Sequence, residues 1–273
     1  MSFDNVYEAI TEEQDDSRWA FGTGFADPLS GVDATVPAGV TADECLALGD
    51  DALIMSHRLQ EWVTRAPELE DEVALANIGL DLLGQARLLL TRAGQIDGSG
   101  RGEDDFAFLR DEHEFRNVRL VELDDGHFGH LVARLFVFGV WRLALLRRLL
   151  DATDPVLAAI AAKAVKELGY HREYAAGWVV RLGDGTDLSH QRMQEGLDAT
   201  WPYVPELFQG PERAEFDEVV DQVLAAATLH RPDGGAVGAV GGRAGRDGVH
   251  TERMGFLLAD LQSVARAHPG ATW

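Results

Sequence analysis

Asn77, Asp81 and Gln85 stand four residues apart inside an otherwise apolar run. On a helix that spacing makes one polar row. A polar row on a buried helix needs partners on other helices. One chemistry fits such a place. Di-iron carboxylate proteins hold their metals in a bundle core with a Glu from each of two helices and Glu-x-x-His from each of the other two. The sequence contains no Glu-x-x-His. The nearest approach is Glu167 and His171, which are four apart rather than three. Moving one ligand by a residue turns it about 100° around the helix. Asp124/His127, Asp187/His190 and Asp247/His250 have the three-residue spacing, but they fall at loops or helix ends. His57/Glu61 and His127/His130 read as polar contacts before metal ligands. The reading from the residues alone is therefore a hydrogen-bonded core network of Asn77, Asp81, Gln85, Glu167 and His171. No catalytic residue and no metal ligand is expected in this chain.

These residues need long helices to position them. Thr41 to Glu44 has the form of a capping box and predicts a helix over 42–64. Pro67 suits a first helical position, with Glu68, Glu70, Asp71 and Glu72 favourable in the first turn. A second helix is expected over 67–93, ended by Gly94 in a left-handed conformation. Two apolar sets recur along it: Val73, Ala76, Leu80 and Leu83, and Leu75, Ile78, Leu82, Ala86 and Leu89. That predicts burial on several sides. Residues 94–103 read as a loop and 104–116 as a short charged helix. A strongly apolar helix follows over 127–151. Asp154-Pro155 caps another over 155–182. Further helices are expected over 187–200, 212–229 and 251–267. Strand signals are almost absent. Four long apolar helices with a crossover between the second and third predict an all-α, ferritin-like helical bundle with additional C-terminal helices. The domain is expected over 41–273. Residues 1–40 read as an N-terminal arm, with a short amphipathic helix carrying Phe3, Val6 and Ile10. The glycine-rich stretch 234–248 lacks the Gly-Lys-Ser/Thr ending of a phosphate loop and reads as a linker.

The composition narrows the class. The chain has 273 residues, and 24 basic against 46 acidic side chains give a formal charge of −22. Lys163 and Lys166 are the only lysines. There is no basic patch for nucleic acid. The acidic first residues lack the pattern of a secretory leader. No uninterrupted apolar run has the length of a membrane span. The expected place is the cytoplasm. Cys45 is the only cysteine, so it reads as a small buried apolar residue.

Several long segments, in order, resemble one family. They are WVTRAPELEDEVALANIGLDLLGQARLLLTRAG, EDDFAFLRDEHEFRN, AIAAKAVKELGYHREYAAGWVVRLGDGT and GRDGVHTERMGFLLADLQSVARAHPGATW. Together they are similar to the C subunits of phenylacetyl-CoA epoxidase (ring-1,2-phenylacetyl-CoA monooxygenase) over about residues 41–273. The resemblance implies a ferritin-like fold and a heteromeric oxygenase. In that assembly the A subunit holds the di-iron centre and binds phenylacetyl-CoA. A reductase subunit supplies electrons, and the C subunit is a paralogue that pairs with A. The catalytic paralogue carries Asp-Glu-x-Gly-His where this chain has Asp81-Leu82-Leu83-Gly84-Gln85. It carries Glu-x-x-His where this chain has Leu168-Gly169-Tyr170-His171. The resemblance thus implies that Leu82, Gln85, Leu168 and His171 are vestigial metal-site positions. It implies no cofactor in this chain, with di-iron in the A subunit, and a self-paired dimer when partners are lacking. The rival reading is a self-sufficient di-metal oxidase using Asp81, Glu167, His171 and His130. A ferritin-like storage protein is a third reading, disfavoured by the ligand count.

Overall fold

The computed structural model describes residues 28–124, 126–208 and 210–271. The amphipathic helix expected around Phe3, Val6 and Ile10 lies outside the described residues. The described chain is α-helical, with one isolated bridge, Val240 to Arg243, in place of any strand.

The first long helix, α1, spans Asp43–Gln60. Its N-cap is Ala42, and no side chain caps it. The capping box expected at Thr41 is therefore not formed. A turn at Trp62 leads to α2, Leu69–Asp97. Glu68 is the extended N-cap, so Pro67 lies just outside the helix rather than at its first position. The acidic first turn remains, as Glu70, Asp71 and Glu72.

Gly94 does not end α2. The helix runs through it and stops at Gly98, whose φ of 65° supplies the left-handed cap. Gly94 has another duty: a Cβ there would collide with the Arg101 carbonyl oxygen. The glycine lets the crossover fold back onto the helix.

Residues 104–116 do not form one helix. They make a π-turn over Asp105–Leu109 and a 3-10 turn over Glu112–Glu114. The cause lies in Arg110. Its guanidinium is buried and binds Asp50 of α1. That long-range pair holds the segment more firmly than a charged helix of marginal length could hold itself.

A further 3-10 turn, Arg119–Glu122, precedes α3, Phe128–Arg148. Leu149–Asp151 tightens its end. The helix α4 spans Pro155–Gly183, and Asp154 caps it by accepting from the Val156 amide at 3.1 Å. Then come α5 (Asp187–Thr200), a 3-10 stretch over Trp201–Leu207, α6 (Arg213–Ala226) and α7 (Glu252–Ala267).

The four long helices form the bundle. The pairs α1/α2 and α3/α4 pack closely, and α2 also packs on α4. The helix α5 lies against α3 and α4, whereas α7 covers the crossover turns. The core takes one face of α2, with Leu75, Ile78, Leu82, Ala86 and Leu89 buried. The other apolar set is not buried: Val73 is 50% exposed, Leu80 59% and Leu83 38%. The expectation that α2 is covered on several sides fails on this face, because no other described element lies over it. By length and apolarity α2 and α3 could each cross a membrane, but the apolar stretch of α3 is almost wholly buried inside the bundle and that of α2 less than half.

One salt link and one pair of hydrogen bonds to a carboxylate lock the frame. Arg92 of α2 donates to both carboxylate oxygens of Asp154, at 2.8 and 2.7 Å. The same guanidinium donates to the carbonyls of Ala34 and Thr35, which fastens the segment before α1. Asp154 thus caps α4 and neutralises a buried arginine together. On the α2/α4 face, Tyr174 Oη and Trp178 Nε1 both donate to Asp71 at 2.9 Å. Burial, reinforced by that carboxylate, pushes the Tyr174 hydroxyl pKa up.

Candidate functional site: a charged network in the bundle core

Leu82 of α2 and Leu168 of α4 are both fully buried, at 0% exposure. Neither offers an atom that could bind a cation. Around them runs a chain of polar contacts. Gln85 Nε2 donates to Glu167 Oε2 at 3.0 Å, and Glu167 also receives Lys163. On its other side Gln85 Oε1 accepts from Nε and Nη2 of Arg142, each at 3.2 Å. Only one orientation of the Gln85 amide satisfies both neighbours, with oxygen toward the guanidinium and nitrogen toward the carboxylate.

Arg142 comes from α3 and is 0% exposed. Its Nη2 also donates to the Leu48 carbonyl of α1 at 3.2 Å, and Nη1 lies 3.9 Å from Asp51. Groups from α1 and α2 therefore meet on this buried cation of α3, and α4 joins through Gln85 and Glu167. Burial pulls the Arg142 pKa down to about 10, and the negative charge of Asp51 opposes that shift. The group stays charged at neutral pH.

His171 stands one turn further along α4. It is 2% exposed, and its Nε2 lies 3.0 Å from Asp81 Oδ2. Its Nδ1 is buried and has no hydrogen-bond partner among the described residues. Asp81, with its side chain 36% exposed, sits at the rim of the α2/α4 seam. Asn77 makes no hydrogen bond among the described residues and does not join the network. Each step of four residues advances about 40° around a helix. Asn77 and Gln85 are thus about 80° apart, too far to face α4 together.

The network continues at residues that the sequence reading passed over. Asp50 and Asp51 are adjacent on α1 and both 0% exposed. Asp50 accepts from Nη1 and Nη2 of Arg110 and from the Arg116 amide. Burial still holds its carboxyl above the ordinary range, against the pull of Arg110. Asp51 accepts from both Nη atoms of Arg246, at 2.9 and 2.7 Å, and from the Val118 amide. Glu122 accepts from Asn117 Nδ2 at 2.8 Å and from the Thr251 amide at 2.7 Å. His250 Nδ1 faces the same carboxylate at 2.7 Å while Nε2 faces the Phe115 carbonyl at 3.1 Å. These contacts fasten the segment before α7 to the crossover. A neighbouring pair of Asp residues in an apolar helix was the one sequence signal available. It could not name Arg110 or Arg246, which are 60 and 195 residues away.

The residues do not fit a di-metal centre. Among the described residues, no three His, Cys, Asp or Glu side chains converge to hold a metal ion. His130, a ligand of the rival oxidase reading, belongs to a different cluster. It stacks on His127 with ring centroids 4.0 Å apart and accepts from the Gly126 amide. Glu61 pairs with Arg58 at 2.8 Å, and among the described residues it makes no hydrogen bond or ion pair with His57.

The family model described as phenylacetic acid catabolic protein matches residues 39–273. A protein of Escherichia coli (strain K12), named as the C subunit of 1,2-phenylacetyl-CoA epoxidase, is 43% identical over 245 residues. The match spans 84% of this chain and 97% of that relative.

Proposed function

From the premise that the chain belongs to the phenylacetic acid catabolic protein family, we propose that it is a non-catalytic structural subunit of a multicomponent phenylacetyl-CoA epoxidase. In this reading it works in the cytoplasm and pairs with a di-iron A subunit. The complex takes phenylacetyl-CoA, dioxygen and electrons from a reductase subunit, and yields the ring epoxide. This chain supplies packing surface and shape, and its partner supplies the metal.

One observation carries the reading: hydrocarbon at Leu82 and Leu168, with the Arg142 guanidinium bound to Gln85 in the same core. Iron in such a core needs several carboxylates to balance its charge. Here a desolvated cation already occupies the heart of the bundle and is balanced by Asp51 and Glu167. A second cation would meet repulsion in a medium that screens weakly. Leu82, Gln85, Leu168 and His171 then read as remnants of a metal site that was rebuilt as a salt-linked core.

Reconstitution tests this. Epoxide formation from phenylacetyl-CoA is measured with the A subunit and the remaining epoxidase subunits, with and without this chain. The expected result is activity only when the chain is added, and none from the chain with the reductase alone. Turnover by the chain without an A subunit would overturn the reading in favour of the self-sufficient oxidase.

A further inference from the structure

We infer that the outward face of α2 is the seam on which a partner subunit lays one of its own helices. This rests on the subunit reading above and specifies where the partner binds. On α2 the exposed apolar residues are not scattered. Leu69, Val73, Leu80 and Leu83 are 69%, 50%, 59% and 38% exposed. With Ala76 between them they fall at alternating steps of four and three. That is the a/d repeat of a two-helix seam. From Leu69 to Leu83 the stripe is about 21 Å long, at about 1.5 Å per residue. A helix-shaped apolar stripe fits a second helix better than it fits a loop or a small molecule. The other faces of α2 are already used: one lies on α1 and another on α4.

Charge says what kind of helix. At the start of the stripe Glu68, Glu70 and Glu72 make no ion pair among the described residues. Asp71, between them, turns inward to Tyr174 and Trp178. Further along, between Val73 and Leu83, the face carries no charge except Asp81, which His171 engages. The partner that fits is an amphipathic helix with its own apolar a/d stripe and basic residues opposite Glu68, Glu70 and Glu72. A second copy of this chain fits poorly. Each copy carries −22, and the stripe from Leu69 to Leu83 has no Lys or Arg of its own to face the acidic end of a second copy. Association of two such copies is opposed by their net charge.

The test is co-purification of the full chain with the A subunit, comparing the wild type with Leu80→Glu/Leu83→Glu. Both side chains are exposed, so the variant is expected to keep its circular dichroism and melting temperature. Its affinity for the A subunit is expected to fall at least about a hundredfold, because two charges would be buried in the seam. Phe256→Glu, at a 65% exposed site on α7, is expected to bind like the wild type. Glu70→Lys/Glu72→Lys is expected to weaken binding and to reduce its dependence on salt. If the wild type binds the A subunit and Leu80→Glu/Leu83→Glu binds equally well, the seam is wrong and the subunit reading stands. If the wild type does not bind the A subunit, the subunit reading itself fails. A wild-type chain that is dimeric alone, and is split by Leu80→Glu/Leu83→Glu, would assign the face to self-association. Recovery of the wild type, but not that variant, on phosphatidylglycerol vesicles would assign it to a membrane. Either result overturns the inference.

Discussion

Arg142 donates to Gln85 Oε1 from two nitrogens, each 3.2 Å away, across the centre of the bundle. The pair joins α3 to α2, and through Gln85 Nε2 it reaches Glu167 of α4. Removing the guanidinium takes the donors from the buried Gln85 amide oxygen and the Leu48 carbonyl and leaves Asp51 with Arg246 as its one remaining counter-charge. Arg142→Ala is therefore expected to cost about 3–5 kcal/mol of folding stability. Gln85→Leu leaves the charges in place but uncouples them, and is expected to cost about 1–3 kcal/mol. Urea denaturation of both variants checks the order of the two.

Asp154 caps α4 and pairs with fully buried Arg92. Asp154→Asn keeps an N-cap but leaves Arg92 without its counter-charge. It is expected to lose about 3 kcal/mol or more, far beyond the cost of a cap alone. Thermal unfolding is a sufficient readout. A loss of only a few tenths would show that the carbonyls of Ala34 and Thr35 suffice for Arg92.

Cys45 is 1% exposed, and burial pushes its thiol up to about 12. The thiolate is the reactive species. A disulfide reagent at pH 8 is expected to leave the native chain unmodified and to react promptly in denaturant. Fast native labelling would mean that α1 opens readily.

Burial is the main cause holding the pKa values of His57 and His130 below their ordinary value of 6.5. The unfolded chain then binds more protons than the folded one just below that pH. A base with a lowered folded pKa contributes stability that is present above pH 6.5 and is lost as pH falls through the window below it. The His57→Gln/His130→Gln double variant is expected to lose less stability than the wild type between pH 7 and pH 5. Denaturation midpoints at the two pH values, read as a difference, give the sign. An unchanged slope would remove both residues from the acid response.

The helices were legible because their apolar spacing is a local property. Asp154-Pro155 marked the start of α4 to the residue. The end of α2 was misplaced at Gly94 because a glycine kept for close approach and one kept for a left-handed cap look alike in sequence. The structure separates them, at Gly94 and Gly98. Leu80 and Leu83 read as core for a similar reason. Periodicity reports an apolar face but not what covers it. The buried charges were the least legible. Glu122 and His250 are 128 positions apart, and nothing in either neighbourhood announces the other. Asn77 was grouped with Asp81 and Gln85 by spacing alone, without allowance for the slow rotation of an i, i+4 row.

The most direct measurement is the iron content of the purified chain after anaerobic loading with ferrous iron, gel filtration and elemental analysis, beside the A subunit treated the same way. The expected result is no stoichiometric iron in this chain and about two per chain in the A subunit, as di-iron bundles hold. About two irons per molecule of this chain, lost on Asp81→Ala or His171→Ala, would contradict the central claim that Arg142 and the buried leucines stand in place of a metal pair.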